Sequence, residues 1–353
     1  MSFFRRIFNN KNDQDEAQTP PPSVGATPLD NKDIIADTQE SVGIERGKAE
    51  TVEFEAIDVT ESPLAKPAVN PPEQSVIDGA TRQLTGELLN FPQLGGRLLF
   101  GQTSDTGMVR QNNQDSAFSF FAVSDTNEQL PSFGLFVVAD GMGGHHDGEK
   151  ASSLTTRVIA KYVIERAYLT MLEGEDLHDA DRPPMSELLT NAVRAANDAV
   201  MKHIPDGGTT VTAVVVMGEW AYLAHVGDSR AYVVTKEGAE QITRDHTLVQ
   251  RLIELNQITV EESYEYPQKN VLYRAIGQSE SVEIDTMSRR LPPNASILLC
   301  SDGLWGFVSN VQMREVVATS HSPQEACDKL VALANTLGST DNITAVIVKM
   351  PGE

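Results

Sequence analysis

Seven short apolar runs of strand character follow one another from about residue 97, at 117–123, 135–139, 211–217, 220–226, 230–234, 297–301 and 343–348. Only Gly218-Glu219 separates the third run from the fourth, which predicts a hairpin and therefore an antiparallel sheet. Helical periodicity interrupts the strands in two blocks. Ala151, Leu154, Val158, Ile159, Tyr162 and Val163 form one apolar stripe, and Leu188, Leu189, Ala192, Val193, Ala196 and Val200 form another. Two shorter helices are expected at 309–318 and 323–336. Strands, two helices, strands and two helices describe an α+β fold with layered sheets, not a doubly wound parallel sheet. No internal repeat is visible.

The first 92 residues are different material. Residues 1–75 carry 14 acidic and 7 basic side chains and eight of the eighteen prolines, and Phe54 is the only aromatic residue between 11 and 90. Such a segment cannot bury enough apolar surface to offset its ordering entropy. It reads as a disordered acidic, Pro-rich tail over 1–92, followed by a folded domain over 93–351. Within the tail, Val52, Phe54 and Ile57 read as a solvated linker or a short docking strand. Phe3, Phe4, Ile7 and Phe8 share a helical face, so residues 1–10 read as a frayed terminus or a weak membrane-surface contact.

Charge and composition exclude several function classes. A net charge of −22 argues against duplex nucleic acid, where phosphate contacts dominate affinity. No apolar stretch has transmembrane length, and the N-terminus lacks the pattern of a signal peptide. Two cysteines, Cys300 and Cys327, are too few for a disulfide framework or a thiolate zinc site, so the expected compartment is the reducing cytoplasm.

Four aspartates occupy matching positions. Asp140 follows the run 135–139, Asp302 follows 297–301, Asp341 precedes 343–348 and Asp115 precedes 117–123. If 117–123 pairs antiparallel with 135–139, Asp115 and Asp140 meet at one sheet edge, and Asp302 and Asp341 meet likewise if their strands pair. Asp at a strand end is also ordinary turn chemistry. Four in matching places, with Gly141 and Gly303 following two of them, point instead to cations. Clustered carboxylates repel unless neutralised. Oxygen-only ligands favour Mg²⁺ or Mn²⁺ over zinc.

Six motifs in order resemble the metal-dependent protein phosphatases, the type 2C serine/threonine phosphatases, in their bacterial form. They are Ser104-Asp105-Thr106-Gly107 continuing to Asp115, Val138-Ala139-Asp140-Gly141-Met142-Gly143-Gly144-His145, Gly208-Thr209-Thr210, Gly227-Asp228-Ser229-Arg230-Ala231, Leu299-Cys300-Ser301-Asp302-Gly303-Leu304-Trp305 and Asp341-Asn342-Ile343-Thr344. The resemblance runs from about Arg97 to Met350. It implies a four-layer αββα sandwich, two packed antiparallel sheets with helices on both outer faces. It implies hydrolysis of phosphoserine and phosphothreonine in proteins by a metal-activated water, opposing serine/threonine kinases.

The resemblance also implies roles. Asp140 bridges two Mn²⁺ or Mg²⁺ ions, with the Gly141 carbonyl on one. Asp302 and Asp341 complete the other, and Asp115 holds metal-bound water. Asp228 joins Asp302 at a weaker third site. Arg110 clamps the substrate phosphate, as suits a guanidinium fork. Segment 236–281 matches the family's variable flap, where His246 is a candidate substrate contact or a satisfied surface histidine. Two positions depart from the common pattern: Gln114 stands where many members carry Glu, and Met142 stands where eukaryotic members carry a His proposed as general acid. A catalytically weak phosphoprotein-binding regulator is the alternative function. His145 and His146 read as local packing, not zinc ligands, and Cys300 reads as a small core residue. Gly141-Met142-Gly143-Gly144 lacks the Lys and Ser/Thr of a P-loop.

Overall fold

The computed structural model describes residues 97–123, 131–143, 147–173 and 183–352. The 1–92 tail, its docking strand and the N-terminal helical face lie outside the described residues, as do His145 and His146. The strands are β1 (Leu99–Asp105), β2 (Asp115–Ala122), β3 (Phe133–Met142), β4 (Gly208–Thr209), β5 (Val211–Met217), β6 (Trp220–Val226), β7 (Arg230–Val234), β8 (Ala239–Gln241), β9 (Asp285–Arg290), β10 (Ser296–Cys300) and β11 (Ile343–Lys349). The helices are α1 (Asp147–Val163), α2 (Leu169–Leu172), α3 (Met185–His203), α4 (Leu248–Glu254), α5 (Val260–Tyr264), α6 (Asp302–Trp305), α7 (Asn310–Thr319) and α8 (Pro323–Thr336). A single wide turn, Ile164–Tyr168, joins α1 to α2.

Two antiparallel sheets result. One has the order β1-β11-β10-β7-β8, the other β2-β3-β5-β6-β9 with β4 paired to β3. Period-two alternation sends each strand's side chains to two different cores. Phe133, Leu135 and Val137 of β3 pack against α1 and α3, while Phe136 and Val138 face the other sheet. On β10, Ile297 and Leu299 point between the sheets, and Leu298 and Cys300 point toward α7 and α8. Both faces of the central strands are therefore covered, which is why they read as unbroken apolar runs. The result is the expected αββα layering. Each fully buried Leu, Ile or Phe contributes about 1.5–3 kcal/mol.

The hairpin forms as its turn residues predict, with Met217 opposite Trp220. Helix starts follow local chemistry. Ser309 and Gln312 form a capping box on α7, and Ser322 caps α8 with Pro323 in its first turn. Four strands were not predicted: β1, β4, β8 and β9. The sequence of β9, Asp-Thr-Met-Ser-Arg-Arg, carries charges because it is a sheet edge, where they discourage pairing with another chain. The flap is shorter than expected. Ala239–Gln241 belongs to the first sheet, and a bridge between Thr247 and Leu272 closes the base of the α4–α5 excursion.

Among the described residues three hydrophobic clusters are built from Leu98 onward, and the polar, Pro-rich composition of residues 1–92 predicts no share in a core. Deleting residues 1–92 is therefore expected to leave the thermal midpoint within about 3 °C of the full chain, less than 1–2 kcal/mol at this domain size. Differential scanning calorimetry of the two proteins is the check, and a drop of more than about 10 °C would assign the tail a share in the core.

Candidate active site

Pairing of β2 with β3 sets Asp115 directly opposite Asp140. Asp140 is fastened through its backbone. Thr210 donates its N–H to the Asp140 carbonyl at 2.8 Å, and its hydroxyl accepts the Asp140 N–H at 3.0 Å. Thr209 Oγ1 donates to the same carbonyl at 2.8 Å. The Gly208-Thr209-Thr210 motif thus anchors the strand end that carries the acid. From the other sheet, β10 runs into α6 at Asp302, and Asp341 enters β11. The chain passes so close there that a Cβ on Gly303 would lie 2.0 Å from the Asn342 carbonyl oxygen, so only glycine fits.

Asp115 ties the two sheets together. Its Oδ2 accepts hydrogen bonds from Ser301 at 2.6 Å and Thr344 at 2.7 Å, both on the opposite sheet's side. Its Oδ1 is buried with no hydrogen-bond partner among the described residues, and Asp302 Oδ1 is in the same condition. Asn342 bolts down the loop before β2. Its side chain accepts the Gln114 N–H at 2.8 Å and donates to the carbonyls of Thr106 and Asn112 at 2.9 Å each. That loop presents Arg110, whose Nη2 donates to Asp341 Oδ2 at 2.6 Å.

The acids perturb one another. Burial is the largest cause in every case. Asp115 is pushed up to about 7 by burial, against its two hydroxyl hydrogen bonds, with Asp302 and Asp341 adding to the rise. Asp302 is pushed up to about 6 by burial and the Asp341 charge. Asp140 is raised well above the usual carboxylate range by burial, then by Asp115, Asp302, Asp228 and Asp341. Asp228 is also raised well above it, by burial and by Asp302 and Asp245. Arg110 feels Asp341, Asp302 and Asp140, all of which favour its charged form. Five carboxyls so placed favour a cation among them.

The residues present fit hard divalent cations. The donors are all oxygens, and two buried carboxylate oxygens have no partner of their own among the described residues. Among the described residues no three acidic side chains close into a tight cage. Arg110 holds Asp341, Ser301 and Thr344 hold Asp115, and Asp140 and Asp302 share a side-chain hydrogen bond.

Asp115, Asp140, Asp228, Asp302, Asp341 and Arg110 are therefore brought together. His246 is not a surface contact. It is 0% exposed and its ring is enclosed by Gly227, Arg274 and Asp285, which puts it out of a substrate's reach. Sequence reasoning missed the supporting residues Ser301, Thr344, Asn342 and Trp305. All four lie inside quoted motifs, but their partners at Thr106, Asn112, Gln114, Asp115 and Asp228 are 77 to 236 positions away in the chain and cannot be named without the fold.

Two antiparallel sheets under helices, with acids from both meeting at one end, define a phosphatase architecture built around oxygen-ligated cations. The chain belongs to the protein phosphatase 2C family, whose model matches residues 108–338. It is similar to the serine/threonine phosphatase stp of Listeria monocytogenes, at 32% identity over 246 residues, covering 70% of this chain and 93% of that protein. Among solved structures it resembles the Mycobacterium tuberculosis serine/threonine phosphatase PstP/Ppp, with a TM-score of 0.60, 33% identity and coverage of 72% of this chain and 98% of the other. A crystal structure of the PstP catalytic domain in complex with two manganese ions is also similar, with a TM-score of 0.57, 32% identity and coverage of 71% and 97%.

Proposed function

We propose that this protein hydrolyses phosphoserine and phosphothreonine in other proteins, with Asp140, Asp302, Asp341 and the Gly141 carbonyl holding two divalent cations, Mn²⁺ or Mg²⁺. The carrying observation is the group of buried, mutually destabilised acids in which Asp115 and Asp302 each keep one oxygen without a partner among the described residues. Asp228 and Asp302 hold a third, weaker cation. When bound, such ions acidify a water and neutralise charge on phosphoryl oxygens. Serine/threonine kinases supply the substrates, and the reaction takes place in the cytoplasm. No helix among the described residues is long and apolar enough to cross a membrane.

The chain's own groups orient the reaction. With Oδ2 held by Ser301 and Thr344, Asp115 presents Oδ1 as an acceptor for a water. Arg110 is half exposed and paired with Asp341. Its guanidinium fork suits phosphoryl oxygens once Asp341 is engaged by a cation. Asn342 keeps the Arg110 loop in register with Asp341. Met142 carries no titratable proton, so it gives none to the leaving alkoxide. Intact Asp140, Asp302 and Asp341 leave the binding-only alternative without support.

Chelation is expected to reduce turnover of a phosphothreonine peptide by at least about 100-fold, because the ions carry several kcal/mol of transition-state stabilisation. Mn²⁺ or Mg²⁺ should restore it. Phosphate release after dialysis against chelator is the measurement, and restoration by Zn²⁺ alone would overturn the assignment of the donors.

A further inference from the structure

Two consecutive residues at the root of the flap, Asp245 and His246, fasten the turn that carries Asp228. Both are buried, at 5% and 0% exposure. Asp245 receives the Arg230 guanidinium on both oxygens, with Nε at 3.0 and 3.1 Å and Nη2 at 2.7 Å. The guanidinium carbon lies 3.4 Å from the centre of the Trp305 ring. The Trp305 indole N–H in turn donates to the backbone carbonyl of Asp228 at 3.0 Å. This is one arm, running from Asp245 through Arg230 and Trp305 to Asp228.

His246 provides the other. Its Nδ1 accepts the Gly227 N–H at 3.1 Å, and its own backbone N–H donates to the Gly227 carbonyl at 2.8 Å. Because Nδ1 accepts, the ring proton sits on Nε2, which faces Asp285 Oδ2 at 3.2 Å. Arg274 steadies that carboxylate at 3.0 Å through Oδ1. The returning end of the flap is tied to the same residue, since Tyr273 donates its N–H to the His246 carbonyl at 2.9 Å. Gly227 itself has φ +111°, a conformation that does not hold itself in place. Beyond Asp228 the turn is pinned to the sheet, where Thr212 Oγ1 donates to the Ser229 carbonyl at 2.7 Å. On the side before Asp228, Val226 is paired in β6, and both backbone groups of Gly227 bond to His246.

We propose that Asp245 and His246 are positioning residues that set the Asp228 carboxylate through the Gly227–Asp228 backbone, and so couple the flap to the cation site that Asp228 serves. This rests on the cation-holding role of Asp228 proposed above. Outer partners of metal ligands commonly change metal affinity by about 10- to 100-fold when removed.

Three variants of the full chain separate positioning from packing. His246→Leu removes the acceptor for the Gly227 amide. His246→Asn returns an acceptor oxygen near the place of Nδ1. Trp305→Phe keeps an aromatic ring beneath Arg230 but lacks the N–H. The readouts are Mn²⁺ titration calorimetry, with Asp228→Ala as reference, and hydrogen exchange of the Gly227 amide. His246→Leu and Trp305→Phe are expected to weaken about tenfold the Mn²⁺ site that Asp228→Ala abolishes, with the tighter sites unchanged. Gly227 exchange should quicken about tenfold or more in His246→Leu and return toward the parent rate in His246→Asn. Equal Mn²⁺ affinities in parent, His246→Leu and Trp305→Phe would overturn the proposal, as would a His246→Asn variant no better than His246→Leu. If Asp228→Ala removes no Mn²⁺ site, the role of Asp228 fails; Gly227 exchange still reports whether His246 holds the turn.

Discussion

Asp140→Asn is expected to lower turnover of a phosphothreonine peptide by at least about 1,000-fold, the equivalent of roughly 4 kcal/mol of lost charge stabilisation. Asp302→Asn should behave alike. Neither variant should unfold. In the metal-free protein both acids are raised by burial and by their neighbours, so replacing either carboxyl with an amide removes an unfavourable ionisation. The thermal midpoint of each metal-free variant at pH 8 is therefore expected to equal or exceed that of the parent. Turnover at saturating Mn²⁺ and calorimetry without metal are measured on the same preparations. Turnover within tenfold of the parent in either variant would remove the acids from the chemistry.

The metal-free protein is expected to become less stable as pH rises from about 6.5 to 8.5. Its unfolded chain has already released its carboxyl protons there, while folded Asp115 holds its own up to about 7 and Asp140 and Asp228 are raised well above the ordinary range. Folding then takes up protons, so stability falls as pH climbs through the folded values. Below about 6.5 the trend is opposed. Burial depresses His225 to about 3 and lowers His246, so acid favours the unfolded chain, where both can charge. The fall in thermal midpoint across the window should be on the order of 5 °C. Saturating Mn²⁺ should abolish most of it, because cations replace the protons. A midpoint that rises across the window without metal would contradict the electrostatic account of the site.

How much of this was legible follows from what periodicity can carry. The central strands are covered on both faces, so each stands out as an apolar run with an acid at its end. Asp115 and Asp140 were expected opposite each other only if their two runs paired antiparallel; that pairing forms, with β2 half-buried at the sheet edge. Two edge strands escaped notice: β1 and β9 satisfy backbone groups on one side only, and their side chains resemble a loop. His246 was misplaced for a related reason. A histidine in a polar segment looks exposed until the sheet and the returning flap are seen to enclose it. Asn342 was quoted only as the neighbour of Asp341. Its work lies in three backbone partners at Thr106, Asn112 and Gln114, which are remote in the chain. Long-range hydrogen bonds of that kind leave no periodic trace.

Asp115 belongs to one sheet, while the hydroxyls that grip it come from Ser301 and Thr344 beside the other. The polar end of the sandwich is thus a shear joint. Sliding one sheet along the other by a single residue, about 3.3 Å, would break both bonds at once and strand a buried carboxylate. An apolar interface alone resists such slippage weakly, since one methyl can replace another. A load applied along the strands should therefore be borne first at this end. Mechanical unfolding is expected to begin there and to need more force once ions occupy the site.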